Sequence, residues 1–372
     1  MPNANKKEKF DFKHASPDKK KHFWRFALCF VVIASAFLII TCVLMINDKN
    51  AAEDEWDQIT DGLVKYSKDD AAANTEGAVQ VSTGVYIDNI NTISIRNYSY
   101  DIQGVVWFRW RGDENLNPAG NIQFYNCSKQ QVTVTNKEQE NGVNLQAAKF
   151  SLTMVQEFDT RRFPLESAIL GITYFSTLPR STMDLVDDGK SSMGPEITIP
   201  GYSCRDHKAI AYDSARQNLY SSEASMKANS NPTMSFFMLL NRNSLGLYIK
   251  TVIALFITFL WSFLLVYVSA NLWRIVILLT AFSGSIFGIV SNIMVGANLL
   301  PNPLDIGLVV LVNTYAIIIV MASSLTVMTT NHLYEKTEDA AYTAFFGNTM
   351  LKIIIAFTVL GNLVMPLSAY LF

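Results

Sequence analysis

The chain has 372 residues, half of them hydrophobic, with 30 Lys and Arg against 32 Asp and Glu and a formal net charge of -2. It is too apolar for an ordinary soluble protein and too polar for one made only of membrane spans, so a membrane part joined to a water-exposed part is expected. The near-zero charge conceals an asymmetry, because residues 1–25 hold eight Lys or Arg against three acids.

That basic stretch reads as a cytoplasmic tail. Residues 26–46 form an uninterrupted apolar run of 21 residues. A cleaved signal peptide would have a shorter apolar core and a small-residue cleavage site. Here the run is long and is followed by Asn47-Asp48-Lys49, so an uncleaved signal anchor is favoured. The lysines before it place the N-terminus in the cytoplasm and the next segment outside. Residues 47–78 are acidic at first and lack strand alternation; they are read as a linker, helical or a spacer.

From Val79 the pattern changes. Val81, Thr83, Val85 and Ile87 alternate with less apolar residues, as do Ile93 and Ile95, and then Val105, Trp107 and the Phe108-Arg109-Trp110 run. Further short strands read at 131–135, 146–157, 168–175, 196–199 and 233–240. Short strands separated by turn signals predict an extracytoplasmic all-β sandwich of immunoglobulin-like type over 79–241; an irregular α+β domain is the other reading. Cys127 and Cys204 fall in this region and could pair outside the cell. Residues 242–372 then carry four apolar spans, at about 247–268, 275–299, 304–329 and 350–372, each near the ~20 residues that cross a bilayer. The second carries Thr280, Ser283, Ser285, Ser291 and Asn292, which are costly against lipid, so it is expected inside a bundle. The fold class is therefore a membrane protein: an N-terminal transmembrane helix, an extracytoplasmic β-sandwich and a C-terminal four-helix transmembrane bundle.

No catalytic constellation appears. The four histidines, at 14, 22, 207 and 332, are scattered, and His-Glu-x-x-His, P-loop, Gly-x-Ser-x-Gly and Cys-x-x-Cys patterns are absent. Neither an enzyme nor a metal or organic cofactor is expected. The basic tail lacks interleaved aromatics beyond Phe10 and Phe12, so it reads as an orientation signal, not a nucleic-acid binder.

Four pieces of sequence, in order across residues 81–372, resemble the pentameric ligand-gated ion channels, particularly their bacterial members. VSTGVYIDNI at 81–90, with Trp107 and the strand after it, resembles the first two strands of the family's ligand-binding domain. FDTRRFPLES at 158–167 resembles its signature turn. SNIMVGANLLPNP at 291–303 is similar to the outer end of the pore helix and the loop beyond. VLGNLVMPLSAYLF at 359–372 is similar to the last helix of bacterial members. No cysteine flanks the 158–167 turn, so the disulfide that names the animal branch is absent, as it is in bacterial members. The first anchor is additional to the family's four spans. No Trp-x-Pro is present, and the stretch between Trp110 and Phe158 is short.

The resemblance implies a homopentamer in a bacterial inner membrane, contacting membrane lipid and gated by a small ligand, ions or pH. With Asn292, Val295 and Asn298 as the guide, it makes Leu279, Ser283, Ile286, Val290 and Ile293 face the pore. These positions share one helix face. A competing packing reading puts the small residues Thr280, Gly284, Gly288 and Ser291 on the contact face of this helix. Arg274 lies at the inner mouth, where a ring of Arg would favour anions; it also fits an Arg that marks the membrane boundary. Coupling between the outer domain and the pore would fall to Arg161, Arg162, Phe163, Pro164, Glu166, Arg242, Asn298 and Pro301. A ligand would lie under a hairpin at about 221–232, lined by Tyr202, Tyr212 and Tyr220. The rival function is a membrane receptor or sensor that keeps the fold without conducting.

Overall fold

The computed structural model describes residues 10–71, 77–214, 231–242, 245–272, 276–300, 306–337 and 339–370. They divide into two compact units. One comprises Met1–Lys49, Thr160–Glu166 and Leu245–Phe372, the other Asn50–Asp159 and Ser167–Ser244.

The first unit is helical. α1 (Pro17–Ala71), which belongs to this unit as far as Lys49, begins with a proline at its first helical position, where the missing N–H costs nothing. One face, with Phe23, Ala27, Phe30, Ala34, Leu38 and Met45, is buried at three- and four-residue spacing. Rings attach it to two later helices, α4 (Leu308–Thr337) and α5 (Ala340–Tyr370). Phe37 stacks on Tyr315 at 6.0 Å, and Phe30 and Phe26 meet Phe357 and Phe346 edge-on. Between α1 and α4 in sequence come α2 (Leu245–Leu272) and α3 (Val276–Leu299). α3 packs on α2 and α4, and α5 packs on the same two helices. Hydroxyl and amide pairs set the rotation of these helices: Ser262 with Ser285 at 3.0 Å, Ser269 with Thr330 at 2.7 Å, and Asn292 Nδ2 donating to Asn313 Oδ1 at 2.9 Å. Five helices, α1 to α5, have apolar stretches long enough to cross a membrane.

Two boundaries differ from the sequence reading. Residues 47–71, read as a linker that is helical or a spacer, are helix and are continuous with α1, which therefore extends beyond the apolar run. That segment is rich in Ala, Glu, Asp and Lys and has no proline, so nothing in it stops a helix. The connection expected at 331–348 is also mostly helical, since α4 runs to Thr337 and α5 starts at Ala340. Hydropathy marks where lipid contact would end, not where a helix ends. Asp339 caps α5, its Oδ1 accepting from the Tyr342 N–H at 2.9 Å.

The described residues of the second unit form ten strands in two sheets. They are β1 (Val79–Ser94), β2 (Ser99–Trp110), β3 (Ile122–Phe124), β4 (Cys127–Glu140), β5 (Val143–Val155), β6 (Ser167–Ser176), β7 (Met183–Asp187), β8 (Ser192–Met193), β9 (Tyr202–Ser214) and β10 (Asn231–Arg242). One sheet has the order β4-β5-β2-β1-β7, with β8 also on β1; the other runs β3-β6-β10-β9. Both β7 and β8 lie parallel to β1, so the first sheet is mixed, not wholly antiparallel. The sheets share a core. The Tyr174 hydroxyl lies 2.7 Å from Thr83 Oγ1, Tyr100 donates to the Gly171 carbonyl at 2.7 Å, and Phe108 meets Tyr174 edge-on. Residues 196–199, expected as a strand, contribute only an isolated bridge from Ile199 to Tyr202. β9 had escaped the sequence reading because Arg205, Asp206, His207 and Lys208 break its apolar alternation.

Cys127 and Cys204 are both free. They lie in different sheets, and their thiols donate to the carbonyls of Lys129 and Asp206. Burial raises both thiol pKa values.

Tyr174→Phe removes a buried hydroxyl from the inter-sheet core while leaving Thr83 bonded to the Trp107 carbonyl. The expected loss is about 0.5–1.5 kcal/mol, read as a lower midpoint of near-ultraviolet circular dichroism on heating.

Candidate functional site

Thr160–Glu166, although it lies in sequence between β5 and β6, belongs to the helical unit. Its backbone folds into two overlapping reverse turns, with Phe163 N–H donating to Thr160 O at 3.0 Å and Leu165 N–H to Arg162 O at 2.7 Å. The Phe163–Pro164 peptide is cis. Arg162, Phe163, Leu165 and Glu166 are all buried, and Leu165 joins the helical core.

The turn meets the N-terminus of α4, the C-terminus of α5 and the middle of α1. At α4, the Leu308 N–H donates to the Arg161 carbonyl at 2.7 Å. The first N–H groups of a helix have no partner within it, so this carbonyl satisfies one of them. The approach depends on Gly307, where a Cβ would lie 2.6 Å from the Arg161 carbonyl oxygen. On α1, Asp48 Oδ1 takes a hydrogen bond from Arg161 Nη1 at 3.0 Å. At the far end of α5, Arg162 Nη1 lies 3.5 Å from the Ala369 carbonyl. A guanidinium is well placed there, since the last carbonyls of a helix lack partners and carry partial negative charge.

Of the residues expected to couple the two parts of the protein, Arg161, Arg162, Phe163, Pro164 and Glu166 are thus gathered in one turn against helix ends. Asn298 is exposed near the end of α3. Pro301 lies outside the described residues. Arg242 ends β10 in the sheet unit, pairing in register with Tyr202 at the start of β9. Its guanidinium lies 4.3 Å from the Tyr202 ring centroid, and its Nη2 donates to the Tyr202 hydroxyl at 2.9 Å. Cation–π attraction and a hydrogen bond therefore act on the same pair.

Of the tyrosines expected to line a ligand pocket, Tyr202 is buried under Arg242, and Tyr212 is half-buried with its hydroxyl 3.2 Å from Ser235 Oγ. Ten residues apart on one strand, they are separated by roughly 30 Å. Tyr220 and most of the 221–232 hairpin lie outside the described residues.

On α3, Ser283, Ile286, Val290 and Ile293 are on the exposed side, while Phe282, Ser285, Ile289 and Asn292 face the bundle. Ile286, Val290 and Ile293 line an apolar groove of about 370 Å³ with Ile317, Met321 and Leu325 of α4. The polar side chains of this span, which was expected inside a bundle, divide between its two sides. Ser285 and Asn292 are inside, whereas Ser283 and Ser291 are exposed. The glycines face α2. A Cβ on Gly288 would lie 2.3 Å from Thr258 Oγ1, and the nearest atom to one on Gly284 is Trp261 Nε1 at 3.8 Å. The side chain of Leu279 and all of Arg274 lie outside the described residues.

Sequence reasoning missed Gly307 and Asn313. A glycine directly before an apolar helix was the available signal for the first. The second is an amide in the middle of an apolar run. Among the described residues, no group of three or more His, Cys, Asp or Glu could hold a metal ion. Compared with known proteins, the chain matches no family model and no curated relative.

Gly307→Ala forces the Arg161 carbonyl away from the Leu308 N–H. The expected cost is about 1–3 kcal/mol, measured as a fall in thermal stability, with faster proteolysis of the 160–166 turn.

Proposed function

We propose that the chain is a subunit of a homopentameric ligand-gated ion channel of a bacterial inner membrane. The observation that carries this reading is the seating of the 160–166 turn on the N-terminus of α4, the helix that packs beside α3. A displacement of that turn has a direct route into the helices through one backbone hydrogen bond and two arginines. α3 supports the reading further. It contains no charged residue, and its glycine side faces α2, while Ile286, Val290 and Ile293 lie on the exposed side that, with Ser283, would line an axis. Five copies would stack one hydroxyl ring and several aliphatic rings, which can close a pore by dewetting.

In this mechanism a small ligand, an ion or a proton acts on the outer β-rich domain. The domain moves the turn against residues 298–305, and α3 tilts. Arg242, at the end of β10, and Glu166, in the turn, are the charged residues whose exchange tests this coupling. The second reading, a receptor that keeps the fold without conducting, draws support from the aliphatic face of α3 and from the additional helix α1. Currents from purified protein in liposomes, screened against pH and small amines, separate the two; silence under every condition selects the receptor.

Two expected outcomes test the details. In a background without Cys29, Cys42, Cys127 and Cys204, cysteines at Ser283, Ile286 and Val290 react with a water-soluble thiol reagent in the open state, and cysteines at Gly284 and Gly288 do not. The reverse pattern would give the pore to the glycine side. Glu166→Gln and Arg242→Gln each impair gating while oligomers still form, and Glu166→Arg with Arg242→Glu recovers part of the response. Single effects that add to within ~0.3–0.5 kcal/mol would show that the two residues do not interact.

A further inference from the structure

The chain before the first membrane-spanning run does more than orient it. Residues 10–23 fold back on the connection between α4 and α5, entirely within the helical unit. Phe10 lies 5.2 Å from the Tyr342 ring and 5.3 Å from Phe345. Phe12 stacks on Phe345 at 5.0 Å and meets Phe23 edge-on. A turn of 3-10 helix at Phe12–His14, capped by Asp11, holds the two Phe rings in place.

One ion pair fastens this segment. Lys19 Nζ is 2.5 Å from Asp339 Oδ2, and it also sits 5.3 Å from the Tyr342 ring centroid. The Tyr342 hydroxyl donates in turn to the Lys19 carbonyl at 2.8 Å. Asp339 therefore has two tasks: one oxygen caps α5, and the other holds Lys19. Burial pushes the Asp339 carboxyl up, but the Lys19 hydrogen bond, the Tyr342 N–H and the Lys19 charge outweigh it, so its pKa is lowered. Sequence reading assigned the basic tail only an orienting role, and the four-span plan has no counterpart for this contact.

The contact is built to be reversible. Phe10, Phe12 and Lys19 are only half-buried, and both partners of the ion pair keep about a quarter to a third of their side-chain surface exposed. A pair of this kind is modest in strength and sensitive to salt. It grips Asp339, the residue that caps the start of α5.

We propose that residues 10–19 are a releasable latch on the α4–α5 connection, fastened by Lys19 and Asp339, and that release loosens the start of α5 and shifts gating. The gating half of this proposal rests on the channel reading; the latch itself does not.

The test uses the full chain in liposomes. Lys19→Gln and Asp339→Asn each remove the ion pair, while Asn at 339 still caps α5 and Lys19→Arg keeps the charge. Amide hydrogen exchange at residues 10–14 and 340–346 is expected to quicken about three- to tenfold in the first two variants and to stay at the wild-type rate in Lys19→Arg. Unchanged exchange in both neutral variants would overturn the latch, as would a change confined to Asp339→Asn, which would mark a capping effect alone. Currents decide the second half. A shifted activation midpoint in Lys19→Gln supports control of gating, and an unshifted midpoint overturns it. If the wild-type protein carries no current, the channel reading and the gating half fall together, and the exchange result still decides the latch.

Discussion

The helical unit depends on one backbone hydrogen bond between segments almost 150 residues apart: the Leu308 N–H to the Arg161 carbonyl. A helix start buried without a partner is costly, and this one has its partner on a turn inserted between two strands. The turn can reach it only because position 307 has no side chain. Once it is there, its two arginines fall beside a carboxylate at Asp48 and a helix C-terminus at Ala369. Seven residues thus tie the start of α4 and the end of α5 to the middle of α1. Disturbing any of the three contacts strains the other two, because the overlapping reverse turns give the segment little freedom to yield.

Inside the bundle, polar pairs do what apolar packing cannot. Aliphatic contacts are nearly indifferent to a helix rotating by one position. The Asn292–Asn313 hydrogen bond is not, nor are the hydroxyl pairs of Ser262 with Ser285 and Ser269 with Thr330. In a low-dielectric interior an unpaired amide or hydroxyl is expensive, so these pairs select one rotation of each helix. For α3 that rotation places Ile286, Val290 and Ile293 on the outside and the glycine side against α2.

Much of this arrangement was legible in the sequence, and the failures share a cause. Apolar runs located every long helix, and alternation located the cores of β1, β2, β5, β6 and β10. Neither signal carries information on where an element stops. α1 therefore outran its apolar run by a polar, helix-forming tail, and α4 and α5 met across residues that had read as a loop. β4, exposed along most of both faces, showed only the short stretch at 131–135. The 160–166 turn was legible only through the resemblance of residues 158–167 to a family's signature turn. Its seat at Gly307 was not, since a 2.6 Å approach between distant segments leaves no mark in either one. The tyrosines chosen for a pocket were picked by residue type. Tyr202 is engaged by Arg242, a pairing that follows from the register of β9 and β10 and not from any local motif.

The free thiols of Cys127 and Cys204 have a consequence for how the sheet unit is made. Its two sheets are joined by packed side chains and hydroxyl bonds, and both sulfurs are already committed as hydrogen-bond donors to nearby carbonyls. Folding therefore needs no oxidant and no disulfide exchange, and a reducing environment removes nothing from the native state. With their pKa values raised, both sulfurs remain protonated at neutral pH, the form least prone to oxidation. The fold can mature on either side of a redox boundary with the same covalent structure.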